Sequence, residues 1–498
     1  MEALTHLTSR LSVSEQQYLN LQALNRTSDF KPRPKNVNPY TIAAHKRVIS
    51  HSLERFFYPD ELESIYSYRR SEITEDLIFK DFFNGDIPKH NLPRDEHYQN
   101  ALSYTREQWK PPVKYRPVHL LDIQHHYPLN NHANAEAPFS TDLHYRHQMP
   151  DPTLRPSTGN MKPIIFNHTR TWHHQIKDSY YDMQIEGQTK PYDKYLFFMI
   201  LHTKSALVSQ DDPDKVRTIW GTPKPWVLAE IMFHWPLLAH YKRSPGSYPI
   251  LWGYETITGG WHRLNYELNR SHLRSSIIML DYKRFDKYAL FDVIDDIYDM
   301  TESFIDFDSG YMPTKDYPTY ADWNQDKANR LRHLYKWCKH AFKHTPIVTP
   351  DGLLWLRLHS GIPSGLYTTQ YIDSIYNFIM ICTILSSLGF NLNELLVFKV
   401  QGDDSIVKLY VLIPPSLHTQ FLEALQEKAT YYFASIISLS KSKISNSSQG
   451  CEVLGYTNNN GYPTRDHIQL LAQFYHTKAS NPSPEKTMAA AIGFAYAL

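Results

Sequence analysis

Gln401-Gly402-Asp403-Asp404-Ser405 stands between two apolar runs, Leu395 to Val400 and Ile406 to Tyr410. Short runs of this kind on either side of a glycine-containing turn predict two strands joined in a tight hairpin. Gly402 permits the positive φ or close approach that a hairpin tip needs, and the two aspartates then sit side by side there. Adjacent carboxylates repel each other. A doubly charged cation that prefers oxygen ligands, magnesium above all, relieves that repulsion. A solvent-exposed Gly-Asp turn is the plain alternative.

Upstream, a second acidic pair occurs in Leu280-Asp281-Tyr282-Lys283-Arg284-Phe285-Asp286. Ile277 to Leu280 reads as a buried strand that delivers Asp281 toward the hairpin tip, and Asp286 is placed to cap the helix that follows. That helix is expected over Lys287 to Met300, with Leu290, Ile294 and Ile297 on one side. Three carboxylates from two strands suit two metal ions about 3.5–4 Å apart, one activating a hydroxyl and the other neutralising a leaving group.

Between the acidic stretches lies Ser360-Gly361-Ile362-Pro363-Ser364-Gly365-Leu366-Tyr367-Thr368-Thr369-Gln370, running toward Asp373, Ser374 and Asn377. Its glycines and serines let the backbone approach a phosphate or nucleotide, with hydroxyls and amides following at a helix start. A buried helix is expected over Ser374 to Leu388 and another over Pro415 to Ser435. In Asp214-Lys215-Val216-Arg217-Thr218, alternation puts Lys215 and Arg217 on one face of an extended segment, where two fixed cations can hold a triphosphate. The element order from residue 277 onward is strand, helix, helix, hairpin, helix, an α+β pattern.

Composition agrees with a globular enzyme or a large scaffold. The chain has 498 residues, 42% hydrophobic and 21% charged, enough for about three domains at ~150 residues each. A net charge of +1 supplies no global attraction to polyanions, so any nucleic-acid site must be a local basic channel. Cys338, Cys382 and Cys451 have no metal-binding or disulfide-framework spacing, which fits a reducing compartment. No signal peptide or membrane-length apolar stretch is present, so the expectation is a soluble intracellular protein. Ser14-Glu15-Gln16-Gln17 leading into Tyr18, Leu19, Leu21 and Leu24 predicts a short helix. Lys31 to Lys35, with Pro39, predicts an extended basic strap. Irregular connections are expected from Leu92 to Asn167. The adjacent pairs His125-His126 and His173-His174 point to different faces of an element and read as structural or surface histidines.

In order and spacing these segments resemble viral RNA-dependent RNA polymerases, most closely those of the partitivirus group, with picobirnaviruses as relatives. The matching stretches are KVRTIWGTPK, LDYKRFD, SGIPSGLYTTQYIDSIYN and QGDDS, with SLSKSKIS, EVLGY and GYPTR further on. The resemblance implies that Asp281, Asp403 and Asp404 bind Mg2+, with Mn2+ as a substitute, and that Lys215 and Arg217 hold the incoming nucleotide. It gives Asp286, with Ser364 and Thr369, the reading of the ribose 2′-hydroxyl, and counts Gly365 among the nucleotide-binding residues. Lys441 or Lys443 would protonate the departing pyrophosphate, the choice staying open. Where many such polymerases carry Asn on the helix after the serine loop, this chain has Asp373, and Asn377 lies one turn later on the same face.

The implied fold is a right hand with an antiparallel-sheet palm and mostly helical surroundings. Residues 1–59 bridge the lobes, 60–275 and 301–355 form fingers, 276–300 and 356–455 the palm, and 456–498 a short thumb, either truncated or completed by the N-terminal strap. Implied partners are single-stranded and double-stranded RNA template, nucleoside triphosphates and capsid protein, with no membrane. The implied location is the host cytoplasm, inside the virus particle. Two rival readings are a reverse transcriptase, disfavoured by Asp286 where DNA-making enzymes place bulk, and a non-catalytic RNA-binding protein, disfavoured by the intact acidic triad.

Overall fold

The computed structural model describes residues 18–27, 37–186, 193–271, 274–318 and 322–496. The double-aspartate hairpin lies in a four-stranded antiparallel sheet ordered Val397–Gln401, Asp404–Lys408, Ile277–Met279, Lys443–Ser445. Ile277, Met279, Val397 and Ile406 pack on one face against Leu251, Trp261, Leu264 and Leu268. Ile278, Leu280, Phe398, Val400 and Val407 turn toward the main core on the other. Both faces are dry, which is why Ile277 to Leu280 is apolar without alternation. Each such side chain contributes about 1.5–3 kcal/mol on full burial. Two like charges 4 Å apart cost about 4 kcal/mol at an effective dielectric of 20, so the sheet can carry several acids at its strand ends.

Behind the sheet runs the helix Thr369–Ser387, buried without a break from Ser374 to Leu385. It packs on the strand Val397–Gln401 and on the helices Glu96–Trp109 and His418–Phe433, as a helix apolar all round must. Phe378 stacks on Phe398 at 4.1 Å between ring centroids. A second, mixed sheet has the order Leu21–Arg26, Leu353–Arg357, Ile347–Val348, Met199–Ser205, Val216–Gly221. Its last strand carries Arg217, with Lys215 just before it, and both side chains are exposed on one face as the alternation predicted. A three-stranded meander (Glu452–Val453, Tyr456–Asn459, Tyr462–Thr464) follows the hairpin sheet. Among the described residues no helix is long and apolar enough to cross a membrane.

Several local expectations are corrected. Ser14 to Gln17 and Lys31 to Lys35 lie outside the described residues. Leu21–Arg26, however, is a strand paired with Leu353–Arg357; it buries only Leu21, so an edge-pairing opportunity has overridden a helical pattern. Pro39 opens a helix, Pro39–Leu53, rather than ending one. Asn38 caps it, accepting from the amides of Tyr40 and Thr41, and proline at N1 removes an amide that would have no helical partner. The expected Lys287–Met300 helix is two pieces, Phe285–Tyr288 and Phe291–Glu302. The break survives because the Leu290 amide donates to Tyr376 Oη at 3.1 Å and the Phe291 amide to His359 O at 2.9 Å.

The stretch from Leu92 to Asn167 is less irregular than its composition suggests. Glu96–Trp109 is a helix capped by Asp95, whose carboxylate accepts from the amides of His97 and Tyr98. Its buried stripe, Tyr98, Ala101, Thr105 and Trp109, has helical spacing but is hidden among polar residues.

Candidate active site

Gln401 pairs with Asp404, so Gly402 and Asp403 form the two-residue tip. Gly402 has φ +63°, and a Cβ added there would meet nothing within 4 Å. The glycine therefore serves the turn's backbone rather than a close approach. The tip is held from behind by the long helix. The Gly402 amide donates to Ser374 Oγ at 2.8 Å, and Asn377 Nδ2 donates to Gly402 O at 3.0 Å and Asp404 O at 3.4 Å. Asn377 thus spends its amide on the hairpin.

Pairing of Val407 with Ile278 and Lys408 with Ile277 fixes the neighbouring strand. Asp281 lies two residues past the end of that strand, on the side of the tip, and its charge acts on both Asp403 and Asp404. Asp281 is clasped by the turn before the last strand: its amide donates to Ser442 Oγ at 3.0 Å, and its carbonyl accepts from the Ser438 amide at 2.7 Å.

The carboxylates feel one another. Burial, then Asp403, Asp281 and Glu452, push Asp404 up to about 6. Burial and the Asp281 charge hold Asp403 above the usual carboxylate range, with Arg217 pulling it back. Asp286 is raised by burial and by Asp81 and Asp403, with Lys287 opposing. Asp373 is raised by burial and then by Asp286 and Asp403, and its buried Oδ1 has no hydrogen-bond partner. Mutually raised acids form a site short of positive charge, and oxygen donors of this type match hard divalent cations. As they stand, the aspartates are spread rather than closed. Among the described residues the one trio of potential ligands with all its atoms within 4.8 Å is His125, His126 and Asp316, elsewhere in the fold.

The serine loop is built against the strand that carries Arg217. Ser364 Oγ accepts from the Trp220 amide at 2.9 Å. A Cβ on Gly365 would lie 2.3 Å from Trp220 O, so only glycine fits. Thr369 Oγ1 donates within the loop to Pro363 O at 2.7 Å. Lys443 Nζ pairs with Glu452 at 3.0 Å; Lys441 is exposed and makes no ion pair among the described residues.

Several groups that position this site carry no sequence motif. Asp81 Oδ2 accepts from the Thr218 amide at 2.8 Å and hydroxyl at 2.7 Å, and pairs with buried Lys287 at 2.7 Å. It thereby ties the Arg217 strand to the helix that begins beside Asp286. Arg357 is buried, donates to Gly361 O at 2.5 Å and to Phe342 O, and lies 5.2 Å from the Trp220 ring centre. Burial pushes it down to about 9. Lys204 pairs across strands with Arg217, a cation that alternation alone could have flagged. Lys478 is lowered by burial and then by Lys204, Arg70 and Arg217, so four cations converge there.

Mixed helices and sheets that gather acids at a hairpin, with cations on the facing strand, are the arrangement of a nucleotidyl-transferring polymerase. Residues 206–495 match the family model described as viral RNA-dependent RNA polymerase. The RNA-directed RNA polymerase of White clover cryptic virus 1 (isolate Boccardo/2004) is 43% identical over 512 residues, covering 96% of this chain and 83% of the relative. That of Atkinsonella hypoxylon virus (isolate 2H) is 27% identical over 497 residues, covering 89% and 70%. The chain belongs to the viral RNA-dependent RNA polymerase family and is an RNA-directed RNA polymerase.

Proposed function

We propose that the chain transcribes and replicates the genome of a double-stranded RNA virus by two-cation nucleotidyl transfer, built as a right hand. Residues 276–300 and 356–455 serve as palm, 60–275 and 301–355 as fingers and 456–498 as thumb, with 1–59 bridging the lobes. The observation that carries this reading is that Asp403 and Asp404 at the hairpin tip meet the charge of Asp281, which follows the end of the neighbouring strand.

The donor set fits hard cations: three carboxylates, two of them raised by burial and then by their neighbours' charge. Asp281, Asp403 and Asp404 would hold Mg2+, with Mn2+ as a substitute. Such cations, when bound, supply the charge that activates the primer 3′-hydroxyl and neutralises the pyrophosphate. Arg217 and Lys215 grip the triphosphate, with Lys204 adding charge beside Arg217. Asp286 and Asp373 face the ribose, and burial favours their protonated, donor-competent form. Ser364 and Gly365 act by holding the loop to Trp220, Thr369 by closing the loop on itself, and Asn377 by holding the hairpin. Lys441 is the better general acid, because Lys443 is engaged with Glu452. Template RNA and capsid protein are the macromolecular partners, inside the particle in the host cytoplasm.

The test is RNA synthesis on an RNA template with Asp403→Asn. Loss of about 4 kcal/mol of charge stabilisation corresponds to about a thousandfold lower rate, with unchanged melting. Wild-type synthesis by the variant would remove the assignment. Parallel incorporation of ribo- and deoxynucleotides tests Asp286 and Asp373.

A further inference from the structure

The helix Leu120–His126 ends on the adjacent histidines that the sequence reading set on different faces. Their rings are indeed nearly perpendicular, at 87°. Both nevertheless reach one carboxylate oxygen: His125 Nδ1 lies 3.1 Å and His126 Nε2 2.5 Å from Asp316 Oδ2. The near nitrogen of one ring and the far nitrogen of the next make up the angular difference at the frayed end of the helix, so the expectation of separate faces is corrected.

Asp316 is not a loose surface acid. Its turn is closed by the Thr314 amide donating to Tyr317 O at 3.0 Å and the Tyr317 amide to Thr314 Oγ1 at 2.9 Å. Thr314 Oγ1 also donates to Asp122 Oδ1 at 2.5 Å, on the same helix as the histidines. Tyr317 stacks on His119 at 3.9 Å and 14°. Turn and helix are therefore fixed to each other on both sides of the cluster, which keeps the Asp316 backbone beside that of the two histidines. Two imidazole nitrogens and one carboxylate oxygen are the ligands of a borderline transition-metal ion, and not of Mg2+, which takes oxygen. Zinc–ligand bonds of about 2.0–2.2 Å put tetrahedral ligand atoms about 3.3 Å apart. The His125 distance already meets this, and His126, which is exposed, needs only to withdraw.

We propose that His125, His126 and Asp316 form a binding site for a zinc-class divalent ion, distinct in ligand chemistry from the all-carboxylate catalytic site and open to solvent on its fourth side. The bound ion would clip the turn to the helix. Asp316 also lines a cavity of about 610 Å³ whose wall includes Arg170, Lys177, Tyr311 and Trp323, so the clip fixes one rim of that cavity.

Calorimetric titration of the full chain with Zn2+, in excess Mg2+ to occupy the catalytic carboxylates, tests this, with Co2+ as a spectroscopic probe. One Zn2+ per chain should bind, Co2+ should show the visible absorption of a tetrahedral nitrogen–oxygen site, and Zn2+ should raise the melting midpoint. His126→Ala and Asp316→Ala should each weaken binding at least tenfold and abolish the midpoint rise. The exposed His132→Ala should change neither. Absence of binding at micromolar Zn2+, equal binding by the His126→Ala/Asp316→Ala double variant, or an equal loss in His132→Ala would each overturn the site. Both histidines are exposed and Asp316 is half-buried, so circular dichroism of the variants should match the parent.

Discussion

Asp281 follows the end of the strand that pairs with the Asp404 strand, and its charge acts on Asp404 although the two are more than a hundred residues apart in the chain. Neither strand end could tolerate the other's charge for long without some compensation. The surroundings supply it only in part, through Arg217 acting on Asp403. The same crowding that raises Asp404 makes the hairpin tip dependent on whatever anchors its backbone.

That anchor is testable. Asn377→Leu removes both donations to the hairpin and leaves the carbonyls of Gly402 and Asp404 to find water. Stability should fall by about 1–2 kcal/mol, while RNA synthesis falls by about a hundredfold through misplacement of the aspartates. Equal activity of variant and parent in a primer-extension assay would show that the helix does not position the tip.

Gly365→Ala probes the contact between the serine loop and the Trp220 strand. A methyl group cannot share space with a carbonyl oxygen 2.3 Å away, so the loop must shift. A loss of about 1–3 kcal/mol is expected from overpacking, read in denaturant melts, together with a raised KM for nucleotides. Gly389→Ala, with open space but φ +87°, serves as a backbone-strain control that should leave KM alone.

Asp81→Asn keeps an acceptor for Thr218 but leaves the Lys287 ammonium, 6% exposed, without its carboxylate. Breaking a buried pair from one side costs about 3–5 kcal/mol; Asp81 is partly solvated, so the lower end is expected. Lys287→Met in the same background should recover stability by removing the unpaired charge. Failure of that rescue in thermal melts would mean that the pair does not join the two elements.

Lys177 gives a pH signature. It is buried, its ammonium donates to Tyr311 Oη at 3.2 Å, and burial pulls it down to about 8. A cation lowered in the folded state binds fewer protons there than in the unfolded chain between about pH 8 and 10.5. Its burial therefore costs stability at pH 7, and that cost disappears as pH rises through this window. Lys177→Met should stabilise the protein by about 2–3 kcal/mol at pH 7 and by little at pH 10. Denaturant melts at the two pH values check the difference.

Much of the hairpin was legible in the residues themselves, because a glycine turn between apolar runs is a local signal that ten residues can carry. The same holds for the strand before Asp281, the buried helix after the serine loop and the shared face of Lys215 and Arg217. Helix boundaries were less legible. Leu21–Arg26 and the break at Leu290 depend on hydrogen-bond partners hundreds and dozens of residues away, respectively.

The amino-acid sequence alone therefore determined many of the parts: the hairpin strands and the strand before Asp281, the acids that follow them, and the family they resemble. Only the tertiary structure decided which parts meet. It set Asp404 beside Asp281, spent Asn377 on the hairpin, recruited Asp81, Arg357 and Lys204, and brought His125, His126 and Asp316 together. The reason is physical: local conformation follows from neighbours within a turn or two, whereas strand register is chosen by burying both faces of a sheet. One residue of slip there would move every side chain to the opposite face.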